Sequence, residues 1–199
     1  HFLYNTFETM RGIALSEHNE KVADIVKNIS EFMRYNMYGA DGSTSLQMEL
    51  QHVTNYIRIM DYRFDDKIRL TMEIPEQMRA LSMPKFTLQP IVENALLHGI
   101  MMKEEKKGTI LLTGWREEND IVFVISDDGA GIPPEKLDSL LDERTQAAVG
   151  SSSRHVGVSN TNLRLKSLYG SGYGLSFTSV PGQGTEVTVR IPAQEEEEF

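Results

Sequence analysis

Two short runs carry residue types that could do chemistry. The first is Leu88-Gln89-Pro90-Ile91-Val92-Glu93-Asn94-Ala95-Leu96-Leu97-His98-Gly99; the second is Asp127-Asp128-Gly129-Ala130-Gly131-Ile132. On a helix, Asn94 and His98 share a face while Ile91, Val92 and Ala95 turn toward a core. A neutral amide oxygen is a reasonable ligand for a magnesium ion that keeps most of its waters and phosphate oxygens. A carboxylate at a strand end, as at Asp127, can accept a hydrogen bond from the adenine amino group, and it rejects guanine, which offers a carbonyl there. Gly129 and Gly131 let backbone pass close to a bound molecule. Either run alone is unspecific, since Asn94 could bridge local backbone and Asp127 could be a turn residue. His98 could touch phosphate or pack at the helix end, and Glu93 could support the site or be a solvated surface acid.

The elements that must position these residues can be read from periodicity. Leu3, Phe7, Met10 and Ala14, then Val22, Ile25, Ile29 and Phe32, recur at helical spacing on either side of a polar break at 16–20. A turn is expected at 39–43, and Thr44-x-x-Gln47 has the form of a capping box. The next helix places Leu46, Leu50, Val53, Ile57, Met60 and Phe64 on one stripe with alternating steps of four and three. That seam suits helices packed at a shallow angle, from this chain or from a second copy; a helical cap on the following domain is the alternative. From 67 to 75 apolar and polar residues alternate as in a strand covered on one face. A helix is expected over 84–100, strands over 109–115 and 121–126 with a turn at 116–120, and a helix start at 133–141. The polar, small-residue stretch 142–154 reads as a mobile flap, followed by a helix over 160–169 and a hairpin of strands 174–180 and 185–191. This order predicts an α+β sandwich.

Composition excludes several classes. The chain has 199 residues, 40% hydrophobic and 25% charged, which is room for one domain or two modest ones with real cores. A net charge of -9 argues against nucleic acid as the main partner. Without cysteine there are no disulfides or thiolate metal sites. No apolar run approaches the roughly 20 residues of a membrane span. The chain has no initiator Met and no signal peptide, so it is expected to be a fragment. The acidic run 195–198 reads as a solvated tail.

The two runs resemble the N and G1 boxes of the gyrase, Hsp90, histidine kinase and MutL ATP-binding superfamily. The resemblance implies a Bergerat-type α/β sandwich that binds ATP with Mg2+, with Asn94 on the metal. Gly157-Val158-Ser159-Asn160-Thr161-Asn162 is similar to the lid-closing G2 box, whose backbone amides at a helix start suit phosphate oxygens. Where the family has Gly-x-Gly, this chain has His155-Val156-Gly157. Thr185 in Gly-Gln-Gly-Thr resembles the last box, where the hydroxyl helps hold the adenine-binding Asp.

A further motif, His1-Phe2-Leu3-Tyr4-Asn5, precedes the helical hairpin. Combined with Gln-Pro-Ile-Val-Glu-Asn-Ala-x-x-His-Gly, it resembles the sensor histidine kinases of the LytS/YesM type over essentially the whole chain. The resemblance implies a helical dimerisation and phosphoacceptor domain at 1–66 with His1 as phosphoacceptor, then a catalytic ATP-binding domain at 67–199. It implies an autokinase that relays its phosphoryl group to an aspartate on a response regulator receiver domain. It also implies a homodimer and a cytoplasmic portion anchored to the membrane by segments outside this chain. Geometry agrees: at helical pitch His1 lies roughly 160° from Leu3 and about 120° from Phe7, away from the apolar seam. Asn5, one turn on, could hydrogen-bond the other ring nitrogen and fix the tautomer. Phe2 stands where commoner histidine kinases carry an acid, so the base is unassigned and Glu93 is a candidate. His18, His52 and His155 read as surface residues. A hydrolase of the gyrase kind would carry a carboxylate at Pro90, one turn before Asn94, and Glu93 is expected to face another direction. A nucleotide-binding dimeric adaptor is the third reading.

Overall fold

The apolar alternation of the second part of the chain folds as a five-stranded mixed sheet. Its strands are β2 (Ile68–Glu73), β4 (Gly108–Glu117), β5 (Asp120–Asp127), β7 (Gly184–Pro192) and β6 (Gly174–Val180), in that spatial order. β2 runs parallel to β4 and the remaining neighbours are antiparallel. The computed structural model describes residues 2–37, 42–135, 137 and 156–193. The flap expected at 142–154, His155 and the acidic tail lie outside the described residues. On one face of the sheet Ile110, Leu112, Ile121, Phe123, Ile125, Val187, Val189 and Ile191 are buried. Their alternates Thr113, Val124 and Thr188 are half-buried, the signature of a sheet with one face packed on helices.

The helical layer consists of α3 (Leu46–Arg63), α4 (Gln89–Asn94) and α5 (Val156–Tyr169). Leu46, Leu50, Val53 and Ile57 of α3 join Ile91, Val92 and Leu96 and the inner face of the sheet in one apolar cluster. This corrects the use expected for the seam. Leu46 and Val53 are fully buried within one chain, and Met60 and Phe64 pack against the same cluster. A stripe already covered by its own sheet layer cannot also be the surface that holds a second copy. The alternative reading, a helix capping the following domain, describes α3. Its N-cap is Ser45, whose side chain accepts from Met48 N, one residue later than the capping box expected at Thr44. Thr44 instead lies in β1 (Ser43–Ser45), which pairs with β3 (Ser82–Pro84).

The remaining helices, α1 (Phe2–Ser16) and α2 (Glu20–Met37), form a hairpin. His18 turns the chain in the left-handed region at φ 56, and the Asn19 side chain accepts from Val22 N at 3.1 Å to start α2. Polar ties attach α2 to α3: Tyr62 donates to Asp24 at 2.7 Å, and Asn55 to Glu31 at 3.1 Å.

Candidate functional site

Expected as one helix over 84–100, the Asn94 region is built from three pieces. Residues 82–84 belong to β3, Phe86 turns the chain at φ 54, and only then does α4 begin at Gln89. After Asn94 the coil widens into a π-helical turn, Ala95–Gly99, and tightens into a 3-10 turn, Ile100–Met102. Such π turns are rare, and they are frequent at functional sites. Pro90, Glu93, Asn94, Leu97 and His98, spaced by three and four, line a cavity of about 380 Å³ whose other wall is Gly157 and Val158 of α5. Glu93 therefore shares the Pro90 and Asn94 side of the helix. The expectation that it faces elsewhere is corrected, because residues three apart on a helix are neighbours. The Asn94 Oδ1 is buried and has no hydrogen-bond partner among the described residues.

Asp127 ends the inward-facing row Ile121, Phe123, Ile125 of β5, so its carboxylate points into the helical layer at the sheet's edge of polarity. Gly129 N donates to its Oδ1 at 2.8 Å. Burial, opposed by the backbone amides of Gly129 and Thr185, raises this carboxyl to about 6. Thr185 faces Asp127 directly across the β5–β7 ladder. Its hydroxyl lies 2.9 Å from Ser179 Oγ, so it is the Thr185 backbone amide, not the hydroxyl expected from the sequence, that supports the carboxylate. Gly129 sits where a Cβ would come within 2.3 Å of Gly99 backbone, so the loop after β5 lies directly on the end of the Asn94 helix. Gly131, at φ +69, is pressed against the Val180 carbonyl of the β6–β7 hairpin.

Thus the structure brings Glu93, Asn94, His98 and Gly157 to one cavity, and Asp127, Gly129, Gly131 and Thr185 to the adjoining end of the same helix. Gly157 lies within α5, which begins four residues before the expected start, and its Cβ position is 3.4 Å from Pro90. Asn160 is exposed on α5 and is not among the residues lining the cavity. Asn5 is exposed on α1, its carbonyl accepting from Thr9 at 2.9 Å. His1 lies outside the described residues.

Sequence reasoning missed the residues that hold α4 in place. Glu49 of α3 is fully buried. One carboxylate oxygen accepts from Phe86 N at 2.7 Å and from the Tyr35 hydroxyl; the other accepts from Thr87 N at 3.0 Å and Leu88 N at 3.1 Å. These are the amides of the two residues that lead into α4 and of its N-cap, Leu88. Burial, then the adjoining Glu49, push the Tyr35 phenol above its ordinary range, so it remains a donor. His52, expected at the surface, is 1% exposed. It stacks between Phe32 and Tyr35, with ring centroids 4.6 and 4.2 Å away, and pairs through Nε2 with Gln89 at 2.7 Å. A signal was present for Glu49: it falls three residues after Leu46 and four before Val53, inside the apolar stripe. An acid there must have buried donors.

Comparison with known proteins agrees with this geometry. Residues 84–195 match the model for histidine kinase-, DNA gyrase B- and HSP90-like ATPases, and residues 1–68 match a histidine kinase model. The catalytic domain of histidine kinase ThkA superposes with a TM-score of 0.55 at 14% identity, covering 78% of this chain and 99% of that one; it shares the fold. The chain belongs to the histidine kinase-, DNA gyrase B- and HSP90-like ATPase family, and within it to the sensor histidine kinases of the LytS/YesM type. It is 31% identical to the sensor protein LytS of Staphylococcus saprophyticus over all of this chain and 33% of that protein. It is 27% identical to the sensor histidine kinase BtsS of Escherichia coli over 98% of this chain and 32% of that protein. The chain thus spans about a third of the length of these curated relatives.

Proposed function

We propose that this chain is the kinase portion of a two-component sensor, an ATP-dependent autokinase that phosphorylates His1 and passes the phosphoryl group to an aspartate of a response regulator receiver domain. The single observation that carries the site assignment is the buried, unpartnered Asn94 Oδ1 on the wall of the α4–α5 cavity. Among the described residues no group of three His, Asp or Glu side chains is arranged to hold a metal. A magnesium ion at this position would rest on the Asn94 amide oxygen and on phosphate oxygens, keeping several of its waters. When bound it supplies charge neutralisation at the phosphates. Asp127 holds the adenine amino group, and the start of α5 at Gly157 faces the phosphates. Residues 1–66 supply the phosphoacceptor and dimerisation domain and 67–199 the ATP-binding domain, on whose core α3 of the first packs.

In the transfer, a His1 ring nitrogen forms the bond to the γ-phosphorus as the bond to the β-phosphate oxygen breaks, and ADP leaves with that electron pair. Asn5, one turn after His1, orients the ring. Glu93, which lines the cavity beside Asn94, takes the ring proton. Membrane anchoring is assigned to segments of the parent protein outside this chain; among the described residues no helix is long and apolar enough to cross a membrane.

Full-length protein incubated with γ-labelled ATP is expected to acquire acid-labile, base-stable phosphate. His1→Gln should abolish this signal and leave ATP affinity nearly unchanged. A labelled His1→Gln protein would remove His1 from the role, and loss of its ATP binding would break the division of labour between the two domains.

A further inference from the structure

The start of α4 is held by α3, not by its own capping residue. Leu88, at the N-cap position, makes no side-chain cap. Glu49 instead gathers the amides of Phe86, Thr87 and Leu88, and His52, three residues later on α3, fixes Gln89. Four consecutive residues are thereby pinned to one helix. The Phe86 peptide is clamped from the other side as well: its carbonyl accepts from Arg164 Nη2 of α5 at 3.1 Å. Phe86 sits at φ 54, an uncommon conformation for a side chain of that size, and these two bonds hold it there. The two helices that wall the cavity, α4 through Pro90 and Asn94 and α5 through Gly157, are therefore both tied to the backbone of Phe86. The Tyr35 hydroxyl joins α2 of the N-terminal hairpin to the same carboxylate.

We propose that Glu49 is a positioning residue for the metal and phosphate end of the nucleotide site, and that Tyr35 couples it to the N-terminal hairpin. The inference rests on the reading of Asn94 as the magnesium-bearing residue. Asp127 lies on β5, takes its support from Gly129 and Thr185, and meets the Asn94 helix at Gly99, the end away from this clamp. A displacement of α2 would reach Asn94 through Tyr35 and Glu49 while adenine recognition stays in place.

The split between the two ends supplies the test. ATP affinity of the full-length protein is measured by calorimetry with excess Mg2+ and again in EDTA, with circular dichroism to check folding. Glu49→Gln replaces one accepting oxygen by an amide donor facing the backbone amides. It should lose roughly 10–100-fold of the Mg2+-dependent gain in affinity, the range seen when groups that orient a metal ligand are removed, with affinity in EDTA unchanged. Tyr35→Phe keeps the ring and should show a smaller loss of the same kind. Equal losses with and without Mg2+ would reduce Glu49 to a structural role and overturn the proposal. So would wild-type Mg2+ dependence in a folded Glu49→Gln. If Glu49→Gln does not fold, Tyr35→Phe decides, and unchanged Mg2+ dependence there overturns it. Asn94→Ala separates the two layers: if it retains the Mg2+ dependence, the reading of Asn94 fails. If Asn94→Ala loses it while the Glu49 and Tyr35 variants keep it, only the clamp fails.

Discussion

The α1–α2 hairpin and the sheet domain use apolar residues in opposite ways. In the sheet domain Leu46, Val53, Leu88, Leu96, Ile110 and Leu112 are wholly buried in one cluster. In the hairpin Ala14 is the only buried residue of α1 among those described, and Leu3, Met10, Ile13 and Leu15 are each about half exposed. Burying a large aliphatic side chain stabilises by about 1.5–3 kcal/mol, so the sheet domain carries its own stability and the hairpin does not. Among the described residues, Leu3, Met10 and Ile13 of α1 are left uncovered. If the dimer expected from the sequence forms, these exposed residues are its predicted contact, since the α3 stripe is already covered.

The largest effect should come from exchanging the two surfaces. Leu50→Lys places a charge in the shared core, which costs several kcal/mol without a partner. It should unfold the sheet domain, seen as loss of the cooperative thermal transition. Met10→Lys with Ile13→Lys should leave that transition in place and lower the mass measured by light scattering from dimer to monomer. A folded, monomeric Leu50→Lys protein would reverse the comparison and return the dimer contact to α3.

Within the sheet domain the comparison sharpens to a single residue that is good for binding and poor for stability. Asp127 buries a carboxylate, and burial raises it to about 6. Asp127→Asn should weaken ATP binding by about 1.5–3 kcal/mol, the range for a hydrogen bond to a charged group, while thermal stability near neutral pH rises or holds. Calorimetry showing normal ATP affinity in the variant would remove Asp127 from adenine recognition.

How much of this was legible before folding follows the same division. The strands were readable because their alternation answers to one buried face; Asn94 and Asp127 stood out by residue type, and the structure puts the first on the cavity wall and buries the second at a strand end. The break at 84–88 was not, since Pro84 to Leu88 is apolar enough to pass for helix and the left-handed Phe86 is held by Glu49 and Arg164, which come from distant helices. The α3 stripe was read correctly as buried but assigned to the wrong neighbour. A periodic stripe states that something covers it and carries no information on what. His52 was misplaced for a related reason: a lone His without a motif looks like surface, and its aromatic partners Phe32 and Tyr35 come from another helix.

The smallest effect is a difference between two opposed titrations. Burial lowers His52 to about 4 from an ordinary 6.5. The unfolded chain then binds a proton that the folded one refuses, so stability falls as pH drops through that window. Asp127 works in the other direction. Its folded value, about 6, lies above the ordinary 3.8, so the folded chain takes the proton first and stability rises as pH drops below about 6. From about pH 7 to about pH 5 the His52 loss is on the order of 2 kcal/mol and the Asp127 gain on the order of 1 kcal/mol, by linkage. The pair should leave the wild-type protein only slightly less stable in acid. Asp127→Asn removes the gain and keeps the loss, so its denaturant midpoint should drop more steeply over the same interval, the extra fall being about 1 kcal/mol. ATP affinity of the wild type should fall below about pH 6, as the protonated carboxyl ceases to be a pure acceptor. Parallel pH profiles for the two proteins would mean that Asp127 titrates alike in the folded and unfolded chain, and that its burial is relieved by water reaching it from the nucleotide cleft.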